Sequence, residues 1–374
     1  MFHKIPLFKI YWDEKDINSV NKVIKSGSSW ANGPQIEEFE EKIAKYLNRK
    51  FALVFNSGTS ALHSLMIAYN FKKGDEIIVP SFSFMATANA PIFVNAKPIF
   101  ADIEEETFGL DPSDVNKKIT KNTKAIIAMH YGGSICKIKE LKEIAKKHNV
   151  ILIEDAAESL GAKMKNKKAG NFGDSAILSF CQNKIITTGE GGAVVTDSER
   201  VFNKLKLIRS HGRKNDERYF SSSKSDYKEL GYNFRMSSIL AALGLSQLEK
   251  IDKIIEKRRE KAKLLNKGLK NIKDVKVPFE MNFRHVYQLY TIRVKNKEIR
   301  NNLLIYLRNK GIMSKIYFTP VHLSSFYRER YKIGEDKLPI TRKISDKVLT
   351  LPIYPDISDG EIDYIIKTIK SFFN

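Results

Sequence analysis

Phe51-Ala52-Leu53-Val54-Phe55-Asn56-Ser57-Gly58-Thr59-Ser60 passes from five apolar residues into small hydroxyl residues around one glycine. The apolar run predicts a buried strand, and Asn56–Ser60 a turn into a helix carrying Ala61, Leu62, Leu65, Met66 and Ala68. The same unit then repeats. Strands are expected at Glu76–Val79, Pro98–Ala101, Ala125–Met129, Val150–Ile153, Ser175–Phe180 and Ala193–Thr196, with helices at Phe84–Val94 and Ile138–His148. Strand–helix alternation predicts an α/β fold whose mainly parallel sheet is covered by helices on both faces.

Upstream, Ile17, Val20, Val23 and Ile24 give residues 13–26 a helical spacing, and Gly27 stops it. Residues 28–34 read as a loop and 35–47 as a second helix. Downstream, apolar positions from Ile239 to Ile255 predict one long helical region from near Ser237 to Leu269. Strands follow at Tyr287–Val294 and near Ile316–Phe318, with helices at Glu298–Lys310 and Asp359–Phe373. A large domain over residues 1–250 and a smaller α+β domain over 251–374 are expected, as suits a chain of 374 residues.

The two cysteines, Cys136 and Cys181, provide no disulfide framework. No apolar run approaches the length of a bilayer span, and Met1–Pro6 lacks a signal-peptide core. A cytoplasmic protein without membrane partners is expected. Lys and Arg number 64 against 43 Asp and Glu, a formal charge of +21. The cations are spread along the chain without an arginine-rich arm, so the reading is a lysine-rich solvated surface rather than a nucleic-acid footprint.

Three stretches carry chemistry. Ser57-Gly58-Thr59-Ser60 places small residues and free amides at a helix start, which suits an anion such as a cofactor phosphate as well as it suits a plain helix cap. Val150–Ile153 leads into Glu154-Asp155 at the carboxyl end of a strand, the edge where open α/β sheets bind ligands; alternation points Glu154 to the opposite face from Asp155. Ser179-Phe180-Cys181-Gln182-Asn183-Lys184-Ile185-Ile186-Thr187-Thr188-Gly189-Glu190-Gly191-Gly192 sets one lysine between an apolar run and a glycine-rich turn. A lysine amine that holds an aldehyde and a carboxylate that keeps a pyridine nitrogen protonated are the two groups pyridoxal phosphate chemistry needs. Phe84, after Pro80-Ser81-Phe82-Ser83, is either a ring-stacking aromatic or a core residue. His130, His211 and His322 have no metal-ligand spacing, and no metal is expected.

These motifs occur in an order that resembles the DegT/DnrJ/EryC1/StrS family of sugar aminotransferases, pyridoxal phosphate enzymes of fold type I, the aspartate aminotransferase-like fold. The resemblance runs from Gly33-Pro34 through Gly74–Pro80, Arg209-Ser210-His211-Gly212 and Leu230–Met236 to Leu351-Pro352-Ile353-Tyr354-Pro355. It implies that Lys184 carries the cofactor and moves the proton, and that Asp155 pairs with the ring nitrogen. It places Glu158 near the phenolic oxygen and Phe84 on the ring. Gly58, Thr59 and Ser179 hold the phosphate, and Asn233 reaches the phosphate of a partner subunit, making the working unit a homodimer with shared active sites. The implied reaction takes nitrogen from L-glutamate to a nucleoside-diphosphate keto-sugar. Residues 183–192 are similar to members that aminate C4 of 4-keto-6-deoxy sugars. A C3 keto-sugar or an aminocyclitol ketone as acceptor, and a non-catalytic cofactor-binding or nucleic-acid-binding protein, stand as alternatives.

Overall fold

The computed structural model describes residues 4–213, 226–278, 283–332 and 334–374. Its centre is a seven-stranded sheet of β1 (Phe51–Phe55), β2 (Glu76–Pro80), β3 (Lys97–Ala101), β4 (Thr123–Met129), β5 (Ile151–Asp155), β6 (Ser175–Ser179) and β7 (Gly192–Thr196), in the order β1-β7-β6-β5-β4-β2-β3. All neighbours are parallel except β7, which runs antiparallel to both β1 and β6. The cause is local: residues 180–191 contain no crossover helix, so the chain leaving β6 turns straight back as β7. The lysine loop therefore overhangs the edge at which β1, β5 and β6 all end.

Helices cover both faces of the sheet, numbered α1 (Glu14–Lys25), α2 (Pro34–Leu47), α3 (Gly58–Ala68), α4 (Met85–Phe93), α5 (Pro112–Lys118), α6 (Ile138–His148), α7 (Glu199–Arg209), α8 (Ser238–Glu249) and α9 (Ile251–Leu269). On one face Phe39 and Ile43 of α2, Leu141 of α6 and Leu245 of α8 pack with Leu152 and Leu178. On the other, Leu62 and Leu65 of α3, Ala88 of α4 and Leu205 of α7 pack with Ile153 and Ile177. Alternation along β5 thus sends Ile153 and Asp155 to the second face and Leu152 and Glu154 to the first.

A third core forms from the later half of α9, from α10 (Lys297–Asn309) and α11 (Asp359–Phe373), and from the strands β8 (Val275–Lys276), β9 (Tyr290–Val294) and β10 (Val348–Leu351). Ile5 is buried with them and bridges to Ile312. A fourth cluster joins the sheet edge to this part of the chain, with Phe82, Phe108 and Tyr131 against Leu289 and Phe318.

Two expectations need correcting. The region from Ser237 to Leu269 is two helices, broken at Lys250 (φ −106°, ψ 7°). Here α8 is covered by both α1 and α2, whereas α9 buries one stripe, and the Lys250 ammonium is tied to Asp13 (2.5 Å) and Asp16 (2.9 Å) at the start of α1. Ile316–Phe318 is not a strand. The Tyr317 carbonyl accepts from the Tyr131 hydroxyl (2.7 Å) and the Phe318 carbonyl from Ser345 Oγ (3.1 Å), leaving one isolated bridge between Lys315 and Thr350.

Candidate active site

The site grows from a row of paired residues. Gly192 of β7 faces Phe55 on one side and Ser179 on the other, so the ends of β1 and β6 stand together. Ser57 caps α3: its backbone is extended and its Oγ accepts the Ser60 N–H (3.0 Å). The cap reading of this motif is therefore realised, yet the amides of Gly58 and Thr59 remain, because no carbonyl of their own helix can reach them. The space before them is closely fitted. A Cβ on Gly58 would stand 3.3 Å from Ser179 Cβ, and one on Gly192 would lie 2.5 Å from the Gly58 nitrogen. Glycine is required at 192, and the result is a small cradle of two amides and one hydroxyl at the positive end of a helix.

Two strands along, Asp155 ends β5, opposite Met129 of β4 and Ile177 of β6. Its carboxylate is buried, 4% exposed, and accepts Thr87 Oγ1 (2.6 Å) and the Ala157 N–H (3.2 Å). Thr87 belongs to the first turn of α4, whose cap is Phe84, so one helix start fixes both the carboxylate and the aromatic. Phe84 is 62% exposed and is not a core residue.

Glu154 points to the other face. Its oxygens accept the amides of Gly170 (2.8 Å), Phe172 (2.6 Å) and Gly173 (2.7 Å), with the Arg49 guanidinium 3.7 Å away. His130 Nδ1 accepts the Cys136 N–H, which puts the ring proton on Nε2, 2.8 Å from Glu154. Burial alone would raise the Glu154 pKa; the bonds from His130 and the Gly173 and Gly170 amides outweigh it and hold it below the ordinary value.

Lys184 leans over this edge. Residues 180–191 are braced from within, by Phe180 N–H to the Gly191 carbonyl (2.8 Å), Lys184 N–H to the Cys181 carbonyl (2.9 Å) and Thr188 N–H to the Phe180 carbonyl (3.0 Å). Phe180, Ile185 and Ile186 are buried and anchor the loop in the first core. The Lys184 amine points to Glu158 Oε1 (3.4 Å), and the other Glu158 oxygen accepts the Gly132 N–H (3.0 Å). Gly132 also accepts the Leu289 N–H through its carbonyl, while Gln288 Nε2 donates to the Asn183 carbonyl (2.5 Å). The lysine thus sits in a closed circuit of contacts: Lys184, Glu158, Gly132, the turn at 288–289, and Asn183.

Gly58, Thr59 and Ser179 converge, Asp155 joins Phe84 through α4, and Lys184 meets Glu158. Asn233 is exposed at the surface, and the Asn56 side chain donates to its carbonyl (3.3 Å). His322 lies with Ser81 (2.6 Å) and His130 with Glu154, away from His211. Thr87 and Gln288 were missed by sequence reasoning. A β-hydroxyl one turn after Phe84 was a usable signal for the first; the second depends on a contact between distant segments and had none.

The donor set fits a phosphorylated pyridine aldehyde: a cradle for the phosphate, a buried carboxylate for a ring nitrogen, an exposed aromatic beside it, and an amine. Among the described residues no group of acidic, histidine or cysteine side chains is arranged to hold a metal, and no helix is long and apolar enough to cross a membrane.

Residues 11–370 match the model of the DegT/DnrJ/EryC1/StrS aminotransferase family. The chain is 35% identical to the GDP-perosamine synthase of Escherichia coli O157:H7 over 99% of both chains. Among solved structures it superposes on Helicobacter pylori PseC, an aminotransferase involved in the biosynthesis of pseudoaminic acid, with a TM-score of 0.92 and 30% identity over 99% of each chain. Spr1654 of Streptococcus pneumoniae, solved in a PLP-form, gives a TM-score of 0.92 at 26% identity over 99% of this chain and 98% of that one.

Proposed function

This chain belongs to the DegT/DnrJ/EryC1/StrS aminotransferase family and has its fold type I architecture, and from that premise we propose that it moves an amino group from L-glutamate to C4 of a nucleotide-linked 4-keto-6-deoxy sugar, with pyridoxal phosphate as cofactor. The observation that carries this reading is the Lys184 amine aimed at buried Glu158, at the edge where Asp155 and the Gly58 cradle also stand. Choice of C4 and of a GDP-sugar is supported by the likeness to GDP-perosamine synthase.

Pyridoxal phosphate, when bound, supplies an aldehyde that captures amines and a ring that draws electrons from the carbon losing its proton. Around it the chain's residues divide the work. The Gly58 and Thr59 amides and Ser179 Oγ hold the phosphate. Asp155, oriented by Thr87, pairs with the protonated ring nitrogen, and Phe84 covers the ring. Glu158 and the Gly132 amide fix the polar side near Lys184. Lys184 Nζ is the general base and acid: it takes a proton from the donor's α-carbon and later delivers one to the sugar's C4. Buried Phe180, Ile185 and Ile186 keep the loop carrying it rigid, which favours proton transfer at fixed geometry. Asn233 completes the phosphate site of a second copy, so the active unit is a homodimer.

Incubating the protein with L-glutamate and a GDP-4-keto-6-deoxyhexose, and locating the new C–N bond by NMR, tests the assignment. A bond at C4 supports it; amination at C3, or of a cyclitol ketone only, replaces it.

A further inference from the structure

We propose that Ser83 is a positioning residue for the carboxylate that meets the cofactor ring: acting through Thr87, it fixes the orientation of Asp155. The proposal rests on the reading that Asp155 pairs with the ring nitrogen.

A helix usually starts on Ser, Thr, Asp or Asn, whose side chain bonds a free amide of the first turn. The cap of α4 is Phe84, which makes no such bond. Hydroxyls stand on either side of it instead, Ser83 just before the cap and Thr87 in the first turn. They meet each other, Oγ to Oγ1, at 2.7 Å, and they are buried, 2% and 1% exposed. Ser81, two residues earlier, is engaged elsewhere, with His322 Nδ1 at 2.6 Å.

The far end of this chain of hydroxyls sets its direction. A carboxylate can only accept, so Thr87 Oγ1, 2.6 Å from Asp155 Oδ2, gives its one proton there. Thr87 then has only lone pairs to offer Ser83, and Ser83 Oγ donates to it. The other acceptor near Ser83 Oγ is the Phe84 carbonyl, farther off at 3.2 Å. Asp155 Oδ1 takes the Ala157 amide (3.2 Å), so among the described residues Oδ2 depends on Thr87.

A threonine hydroxyl in a helix has a competing acceptor, the carbonyl three or four residues back, here that of Phe84 or Ser83. In that rotamer it would turn away from Asp155. The Ser83 bond adds a contact to the rotamer that faces Asp155, and it polarises Thr87 into a stronger donor. One short stretch thus presents Phe84 to the ring and fixes the carboxylate beside it.

The ring nitrogen is the reporter. Pyridoxamine phosphate labelled with 15N in the ring and bound to the protein gives a solid-state NMR signal whose shift separates protonated from unprotonated nitrogen. Wild type should give the protonated signal. Ser83→Ala should move it toward the unprotonated value. The same change should slow single turnovers of the pyridoxal phosphate-loaded protein with L-glutamate about three- to fivefold, leaving the half-saturating concentration within about twofold. Ser83→Thr, which keeps the hydroxyl, should restore both readouts, and Ser83→Cys, a weaker donor, should fall between. In a Thr87→Val background, Ser83→Ala should change neither readout further, because Ser83 acts only through Thr87. The proposal is overturned if Ser83→Ala leaves the nitrogen signal at its wild-type position, if neither Ser83→Thr nor Ser83→Cys recovers any of the loss, or if the effects of Ser83→Ala and Thr87→Val add. An unprotonated nitrogen in wild type, or a protonated one that survives Asp155→Asn, would instead overturn the pairing of Asp155 with the ring, and the proposal with it.

Discussion

Gly192→Ala should disable the phosphate cradle without touching a reacting group. The added Cβ would sit 2.5 Å from the Gly58 nitrogen and 2.6 Å from the Ser57 carbonyl carbon and oxygen. These are backbone atoms of a capped helix start, so no side chain can swing aside. Relief needs a displacement of about 1 Å to restore ordinary contact distances. Overpacking of this kind costs about 1–3 kcal/mol of stability. The part that moves also carries the Gly58 and Thr59 amides. Losing one charge-assisted hydrogen bond to a phosphate, about 1.5–3 kcal/mol, weakens binding roughly 10- to 100-fold. The assay is calorimetric titration with pyridoxamine phosphate, an amine that Lys184 cannot hold covalently. Gly74→Ala is the control: it lies at φ +97° with no atom within 4 Å of the added carbon. It should cost about 1–2 kcal/mol through backbone strain and leave affinity within about twofold. A folded Gly192→Ala protein that binds pyridoxamine phosphate as tightly as wild type would show that this cradle is not the phosphate site.

Thr87→Val removes the hydroxyl that orients Asp155 and should lower the single-turnover rate with L-glutamate about tenfold, with about 2 kcal/mol less stability in urea melts; an unchanged rate would separate Asp155 from the chemistry. Glu154→Gln unbalances the buried contact with Arg49 and should cost about 3–5 kcal/mol at pH 7. Because the folded pKa of Glu154 is held below its unfolded value, its stabilisation is complete above the unfolded pKa, about 4.3, and is lost as the pH falls through the folded value. Urea midpoints between pH 7 and 3 should therefore fall more steeply for wild type than for Glu154→Gln, and parallel curves would contradict this. Asn233→Ala should weaken pyridoxamine phosphate binding in a homodimer, measured by calorimetry alongside light scattering, and a monomeric protein with full affinity would remove the shared-site reading.

Period and composition made the sheet legible. Short apolar runs such as Ile77–Val79 and Ile151–Ile153 could only be buried strands between helices, and alternation alone separated Asp155 from Glu154. The placement of β7 between β1 and β6 was not legible, because pairing of Phe55 and Ser179 with Gly192 is a relation among three distant segments. For the same reason Gly192 read as turn permissiveness, whereas its need for glycine comes from contact with Ser57 and Gly58. The break at Lys250 was hidden because apolar positions continue in helical spacing through it; the ion pairs with Asp13 and Asp16 that accompany the bend are made across the fold. Val348–Leu351 pairs with Tyr290–Val294 in the third core, yet its four residues are too few to stand out as a strand. Gln288 fell inside the strand expected over Tyr287–Val294, but that strand starts only at Tyr290, and residues 287–289 form a turn held by a bond to His285 and by one to Gly132 that is made across the fold.

Absorbance spectra of wild type and Lys184→Ala, each incubated with pyridoxal phosphate and then given L-glutamate, test Lys184 as the working amine most directly. Wild type should show a visible band that moves to shorter wavelength on adding L-glutamate, while Lys184→Ala should fail to complete that change. A wild-type protein that stays colourless, or a Lys184→Ala protein that converts at the wild-type rate, would contradict the assignment of Lys184.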